Sequence, residues 1–300
     1  MGMRLRRLDG VVAVVAGATR GAGRGIATSL GEAGATVYCT GRSVRGAGAT
    51  PGRPETIDET AELVTARGGR GIPVRVDHTA PDEVAELARR VEADEGRIDL
   101  LVNDVWGGDA LIEWGKPFWE QSLDDGRAVF ESGLWSHVVT SRAFAPLFVR
   151  RRRGLVIEIG DGHTLGYRGS FFYDLVKASV LRVAYAMAEE LRPHGVTVVS
   201  LTPGFLRSEA MLEHFGVTEG TWRDAVAKDP HFAESETPSF VGRAVVALAS
   251  DPRVGDKTGR ALASGLLAAE YGFDDVDGRR PNWPAYFERT FPEKVTPTFP

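Results

Sequence analysis

The chain has 300 residues, 43% of them hydrophobic and 26% charged, with a net charge of −5 at neutral pH. That balance leaves no positive excess to meet a nucleic-acid backbone or an anionic lipid surface, and a single cysteine, Cys39, excludes an internal disulfide and a cysteine-based zinc cluster. The basic N-terminus is followed by too short an apolar run for a signal-peptide core, and no later stretch approaches the roughly 18 apolar residues of a membrane span; the expectation is a cytoplasmic protein with a small-molecule partner, without nucleic acid or membrane.

In chain order, short β-branched runs alternate with longer stretches of helical period. Strands are predicted at 11–16, 36–40, 72–76, 100–103, 155–159, 196–201 and 260–263, and helices near 22–33, 56–67, 81–94, 127–149, 172–192 and 238–250. Strands apolar on both sides and separated by helices imply a parallel sheet covered on both faces. The fold class is therefore α/β, a single doubly wound domain with a mostly parallel seven-stranded sheet.

Three segments break this rhythm. The Gly-, Pro- and Arg-rich stretch 43–54 reads as a mobile connection after the second strand. Residues 204–237 carry weak amphipathic pieces where an open α/β sheet would hold a substrate lid, which places a domain at 1–270 including that lid. The proline- and aromatic-rich extension 271–300 cannot form one long helix; it either packs over the site or a partner subunit, or is loosely ordered.

The first strand runs into Ala16-Gly17-Ala18-Thr19-Arg20-Gly21-Ala22-Gly23-Arg24-Gly25 and then a helical pattern. Glycines allow a sharp turn and close approach to a pyrophosphate, whose charge is met by free N–H groups at a helix N-terminus. This is the dinucleotide-binding turn of a Rossmann-type fold. A site for NAD places a carboxylate at the end of the second strand to bind the ribose 2′-hydroxyl, but here the residues are Thr40-Gly41-Arg42-Ser43. Arg42 can fork onto a 2′-phosphate and Arg20 could approach it from the other side, so NADP(H) is the expected cofactor.

At this point the chain resembles the short-chain dehydrogenase/reductase family, whose turn reads Thr-Gly-x-x-x-Gly-x-Gly; Gly17, Gly21 and Gly23 match, with Ala16 in place of the threonine. The resemblance continues through Asp77, where the family binds adenine, and Asn103, the first asparagine of an Asn-Asn-Ala-Gly segment that here reads Asn103-Asp104-Val105-Trp106. Tyr173-x-x-x-Lys177 fits the family's reaction pair, and Pro203-Gly204 with Ser208 resembles the turn and hydroxyl that hold the nicotinamide. Residues 267–281 look like the end of a dehydrogenase/reductase branch. The resemblance implies an oxidoreductase, a homodimer or homotetramer, with cofactor contacts at Gly17, Thr19, Arg20, Gly21, Ala22, Gly23, Arg42, Asp77, Asn103, Tyr173, Lys177, Pro203, Gly204 and Ser208. On a helix the spacing of four puts Tyr173 and Lys177 on one face, where the ammonium is expected to lower the phenol pKa. Tyr173 is then the acid/base of hydride transfer between nicotinamide and a carbon bearing oxygen.

Two positions depart from the pattern. Asp161 aligns with the family's serine, and Gly133, or Ser132 after a one-residue shift, with its catalytic asparagine. An ionised Asp161 would oppose a developing alkoxide, so it either works protonated with Glu158 and Asp104 as possible neighbours, yields its donor role to His163, binds a cationic or polyhydroxylated substrate, or marks a lost function. The other reading of the whole chain is a nucleotide-binding protein with little turnover. The aromatic stretch at Trp106, Trp114, Phe118 and Trp119 serves either a substrate pocket or packing, and the histidines show no metal-ligand spacing.

Overall fold

Seven short apolar strands, each followed by a helix long enough to return the chain to the same edge, generate a wholly parallel sheet. The computed structural model describes residues 8–298, so the first seven residues of the expected domain and the last two of the extension lie outside it. β1 (Val12–Ala16) is internal, flanked by β2 (Thr36–Gly41) and β3 (Arg70–Arg75) on one side and by β4 (Leu100–Asn103), β5 (Gly154–Ile159), β6 (Val196–Thr202) and β7 (Ala261–Ala263) on the other, in the order 3-2-1-4-5-6-7. Every pairing is parallel. Strand order reverses between β1 and β4, and the crevice above that switch point is where such sheets bind ligands.

Alternation along the strands divides the core in two. Ala13, Val15, Val37, Ile157 and Leu201 meet α1 (Gly21–Glu32) and α8 (Pro238–Ala249), while Val12, Val14, Leu101, Val156 and Val198 meet α3 (Pro81–Glu95), α5 (Ser136–Arg151) and α6 (Phe171–Leu191). α2 (Ile57–Ala66) covers β2 and β3.

Three expectations shift. β3 starts two residues earlier than predicted and pairs only with β2, an edge position that tolerates Pro73, which has no N–H to donate. The predicted helix 127–149 begins at Leu123, because the Ser122 hydroxyl accepts the Asp125 N–H as an N-cap, and it is broken into α4 (Leu123–Phe130) and α5 by one π-helical turn at Glu131–Trp135. Residues 264–271 form α9 (Ser264–Tyr271), a helix whose small apolar residues gave little period to read.

The segment 204–237 carries α7 (Glu209–Phe215) and two 3₁₀ turns around a small core of Phe215, Trp222, Ala225 and Phe232. The tail packs on it. α10 (Trp283–Thr290) sets Trp283 against Phe205 and Tyr286 within 2.8 Å of His231 Nδ1, and Thr298 bridges back to Thr164 just beyond β5.

Candidate functional site

The nucleotide turn is shaped by contacts that leave no room for side chains. A Cβ on Gly17, which has φ +89°, would lie 2.3 Å from the Asp104 carbonyl oxygen, and one on Gly23 would lie 2.2 Å from the Gly17 carbonyl oxygen. Thr19 and Ala22 are buried in the same turn, and Arg20 occupies the N-cap position of α1 without a side-chain cap. The Gly21 N–H, at the start of α1, donates to the Glu209 carboxylate at 2.8 Å. A carboxylate seated on this N–H stands in for an anionic group such as a pyrophosphate, so the residues fit a dinucleotide.

Around the turn, the basic residues divide. Arg20 reaches the loop after β2, donating to the Thr50 hydroxyl at 3.1 Å and lying 3.5 Å from Glu55. Arg42 stays half-exposed, 3.8 Å from Asp77, whose carboxylate accepts the Thr79 N–H and hydroxyl. The Arg20 side chain is thus engaged on the loop side, while Arg42 and Asp77 stand together at the carboxyl ends of β2 and β3.

Asn103 ends β4, fully buried, and donates to Ser141 and to Glu158 Oε1, each at 2.8 Å; its amide anchors the strand beneath the crevice. Glu158, expected as a possible neighbour of Asp161, makes its hydrogen bonds with other residues. Strand alternation turns it toward α5, where His137 Nδ1 lies 2.6 Å from Oε2 and Ser141 donates to Oε1. Asp104 also serves elsewhere: it faces Lys177 and the Gly23 N–H, and burial pushes its carboxyl up to about 7 against their pull.

On α6, the Tyr173 hydroxyl donates to Asp161 Oδ2 at 2.6 Å, as the loop beyond β5 folds back over the helix start. Arg168 holds that loop: its guanidinium bonds the Asp161, Thr164 and Gly166 carbonyls and the Asp174 carboxylate. Lys177 does not draw the phenol down. Its ammonium lies 4.1 Å from the centre of the Trp106 ring and 5.7 Å from that of Tyr173, and burial together with the adjacent Asp161 raises the phenol well above its ordinary value. Burial lowers Lys177, with Asp161, Asp104 and Asp109 pulling it back up.

Trp106 organises this end. It meets Tyr173 edge-on at 5.5 Å, and its indole N–H donates to Asp109 at 2.6 Å. A Cβ on Gly133 would lie 2.6 Å from the Trp106 ring, so the indole fills the space beside the π turn. Trp114 completes the aromatic wall, 5.2 Å from Tyr173 and 60% exposed. His163 has no hydrogen bond to Tyr173 among the described residues; burial lowers its pKa, with Glu288 of the tail opposing.

At Pro203-Gly204, the Gly204 N–H donates to buried Glu236 at 2.9 Å, and a Cβ there would lie 2.8 Å from the Trp283 Cβ. Ser208 caps α7 by accepting the Met211 N–H. Asp109, Arg168 and Glu209 are the site residues that sequence patterning did not single out. Only Glu209 left a trace, as the acidic first-turn residue after a serine N-cap.

A family profile described as short chain dehydrogenase matches residues 11–216. Dehydrogenase/reductase SDR family member 1 of Mus musculus is 38% identical over 277 residues, covering 91% of this chain and 85% of that protein, and the Homo sapiens protein of the same name gives the same figures. Among solved structures, a short chain dehydrogenase from Mycobacterium thermoresistibile superposes with a TM-score of 0.75 at 22% identity, covering 92% of both chains. A hydroxysteroid dehydrogenase from Escherichia coli gives 0.69 at 24% identity over 86% of this chain and 96% of that one. These two share its fold.

Proposed function

The chain belongs to the short-chain dehydrogenase/reductase family and so is an oxidoreductase that works with a nicotinamide cofactor; from that premise we propose that it uses NADP(H) and acts on a small carbonyl or alcohol, with Tyr173 as acid/base and Lys177 supporting it by holding the cofactor ribose. When bound, the nicotinamide supplies or accepts the hydride. Gly17, Thr19, Gly21, Ala22 and Gly23 would cradle the pyrophosphate, Asp77 the adenine, and Arg42, with no carboxylate at the end of β2, the 2′-phosphate. Pro203, Gly204 and Ser208 would flank the nicotinamide.

One observation carries the reading. Asp104 touches the nucleotide turn at Gly17 and Gly23 and faces Lys177, so cofactor cradle and reaction pair share one crevice. In this proposal Asp161 replaces the family's serine and Gly133 its asparagine, and Asp161 orients the Tyr173 hydroxyl by accepting its hydrogen bond. In this reading the chain assembles as a homodimer or homotetramer, as the family resemblance implies. The raised phenol favours one second reading, a nucleotide-binding protein of little turnover.

Tyr173→Phe separates them. It is expected to lower kcat by about 10²- to 10⁴-fold, the contribution of a positioned acid/base, with NADPH affinity by fluorescence little changed. Tight NADPH binding with no turnover of any ketone, aldehyde or imine by the wild type establishes the second reading.

A further inference from the structure

The reaction site places negative charge where reduction of a carbonyl needs positive charge. A carbonyl that accepts hydride becomes an alkoxide and calls for aimed donors. Here the Tyr173 hydroxyl is aimed at Asp161, the Trp106 indole N–H at Asp109, and the Arg168 guanidinium at Asp174 and three backbone carbonyls. Lys177 lies over the Trp106 face. The remaining surfaces are the Asp161 carboxylate and the rings of Tyr173 and Trp114, whose centroids lie 5.2 Å apart.

We propose that the preferred substrate is a planar cyclic iminium ion, held by Asp161 against the rings of Tyr173 and Trp114, and reduced there to an amine. The proposal rests on the hydride-transfer reading above and replaces only its carbonyl. Carboxylate and π faces both attract a delocalised cation, and Trp114, 60% exposed, leaves its ring open to one.

The step balances without an oxyanion. The carbon of the C=N⁺ unit gains a hydride, two electrons and one proton, from the reduced dinucleotide. The C=N π pair becomes the nitrogen lone pair, the amine leaves neutral, and the positive charge passes to the oxidised dinucleotide. A neutral imine takes its proton from water before the step, and the Asp161 carboxylate favours that protonated form.

The test compares N-methyl-3,4-dihydroisoquinolinium with α-tetralone, a neutral carbonyl of similar shape, using NADPH and the full chain. The iminium is expected to show a kcat/KM about tenfold or more above the ketone, the scale of one charge-assisted contact. Asp161→Asn should erase that preference while retaining NADPH binding, and Asp161→Ser should shift it toward the ketone. A readout independent of turnover is quenching of tryptophan fluorescence by N,N-dimethyl-tetrahydroisoquinolinium, which should be lost in Asp161→Asn. Ketone reduction equal to or above iminium reduction, or undiminished cation binding in Asp161→Asn, overturns the iminium while leaving hydride transfer standing. Turnover of neither compound with NADPH bound overturns both.

Discussion

The nucleotide end and the reaction end of the crevice are built by different means. At the nucleotide end the constraint is backbone against backbone: the Gly17 and Gly23 positions sit within bonding reach of carbonyl oxygens and accept no Cβ. At the reaction end the constraint is side chain against side chain, and one change is absorbed by another, as where the Trp106 ring fills the room left at Gly133. A backbone constraint fixes residue identity position by position, whereas a side-chain constraint fixes only the sum, so chemistry can drift there within one fold.

Asp104 joins the two ends and gives the largest expected effect. Its carboxyl is raised from 3.8 to about 7 in the folded protein, so the fold retains a proton that the unfolded chain releases. Stability from this group is complete below about pH 4 and is lost as pH rises through 7, by at most about 1.4 kcal/mol per pH unit. Asp104→Asn removes the titration. Relative to the variant, wild-type unfolding free energy in urea should fall from pH 4 to 7; parallel pH profiles would detach Asp104 from both ends.

Next in size is a test of compensation. Gly133→Asn alone drives a side chain into Trp106 and should cost about 1–3 kcal/mol, the usual price of overpacking. Combining it with Trp106→Ala should recover part of that loss, a coupling readable in a double-mutant cycle. Additive losses would mean that the two positions are independent, and the contrast between the ends would lose its reaction-side example.

Legibility in the sequence follows the same division. The seven strands and the turn at Gly17 to Gly23 were readable because period and glycine spacing are written locally, and Tyr173 with Lys177 because a helix spacing of four puts them on one face. The bond from Tyr173 to Asp161 joins residues twelve apart across a loop, and Asp109 and Arg168 lie in irregular segments with no period, so their convergence was not legible. The expectation that Lys177 lowers Tyr173 failed for a related reason. Spacing places two side chains on a face but does not reveal the burial and the Asp161 carboxylate that raise the phenol. Likewise the π turn at Glu131–Trp135 lies inside one continuous helical period, and Gly133 within it reads only as a weak helix position.

Cofactor choice sharpens the nucleotide end. Arg42 is half-exposed and held only loosely by Asp77, at 3.8 Å, so it is free to turn onto a 2′-phosphate. Arg42→Ala should weaken NADPH by about ten- to a hundredfold, the worth of a charge-assisted contact, and NADH little. Equal losses for the two nucleotides would remove the preference for NADP.

The smallest effect concerns the carboxylate that sits on the Gly21 N–H. Glu209 lies in the first turn of α7, capped by Ser208, so its contact ties the 204–237 segment to the nucleotide turn. A dinucleotide must displace that carboxylate, and the N–H then exchanges one anionic acceptor for another, so most of the energy cancels. What remains is the repulsion between Glu209 and an incoming pyrophosphate, screened over about 8 Å at physiological salt. Glu209→Gln should therefore tighten NADPH only about two- to fivefold at low ionic strength, on the scale of a partly exposed charge interaction, with the gain shrinking as salt is added. A weaker NADPH complex in the variant would instead assign Glu209 to closing the lid over the bound nucleotide.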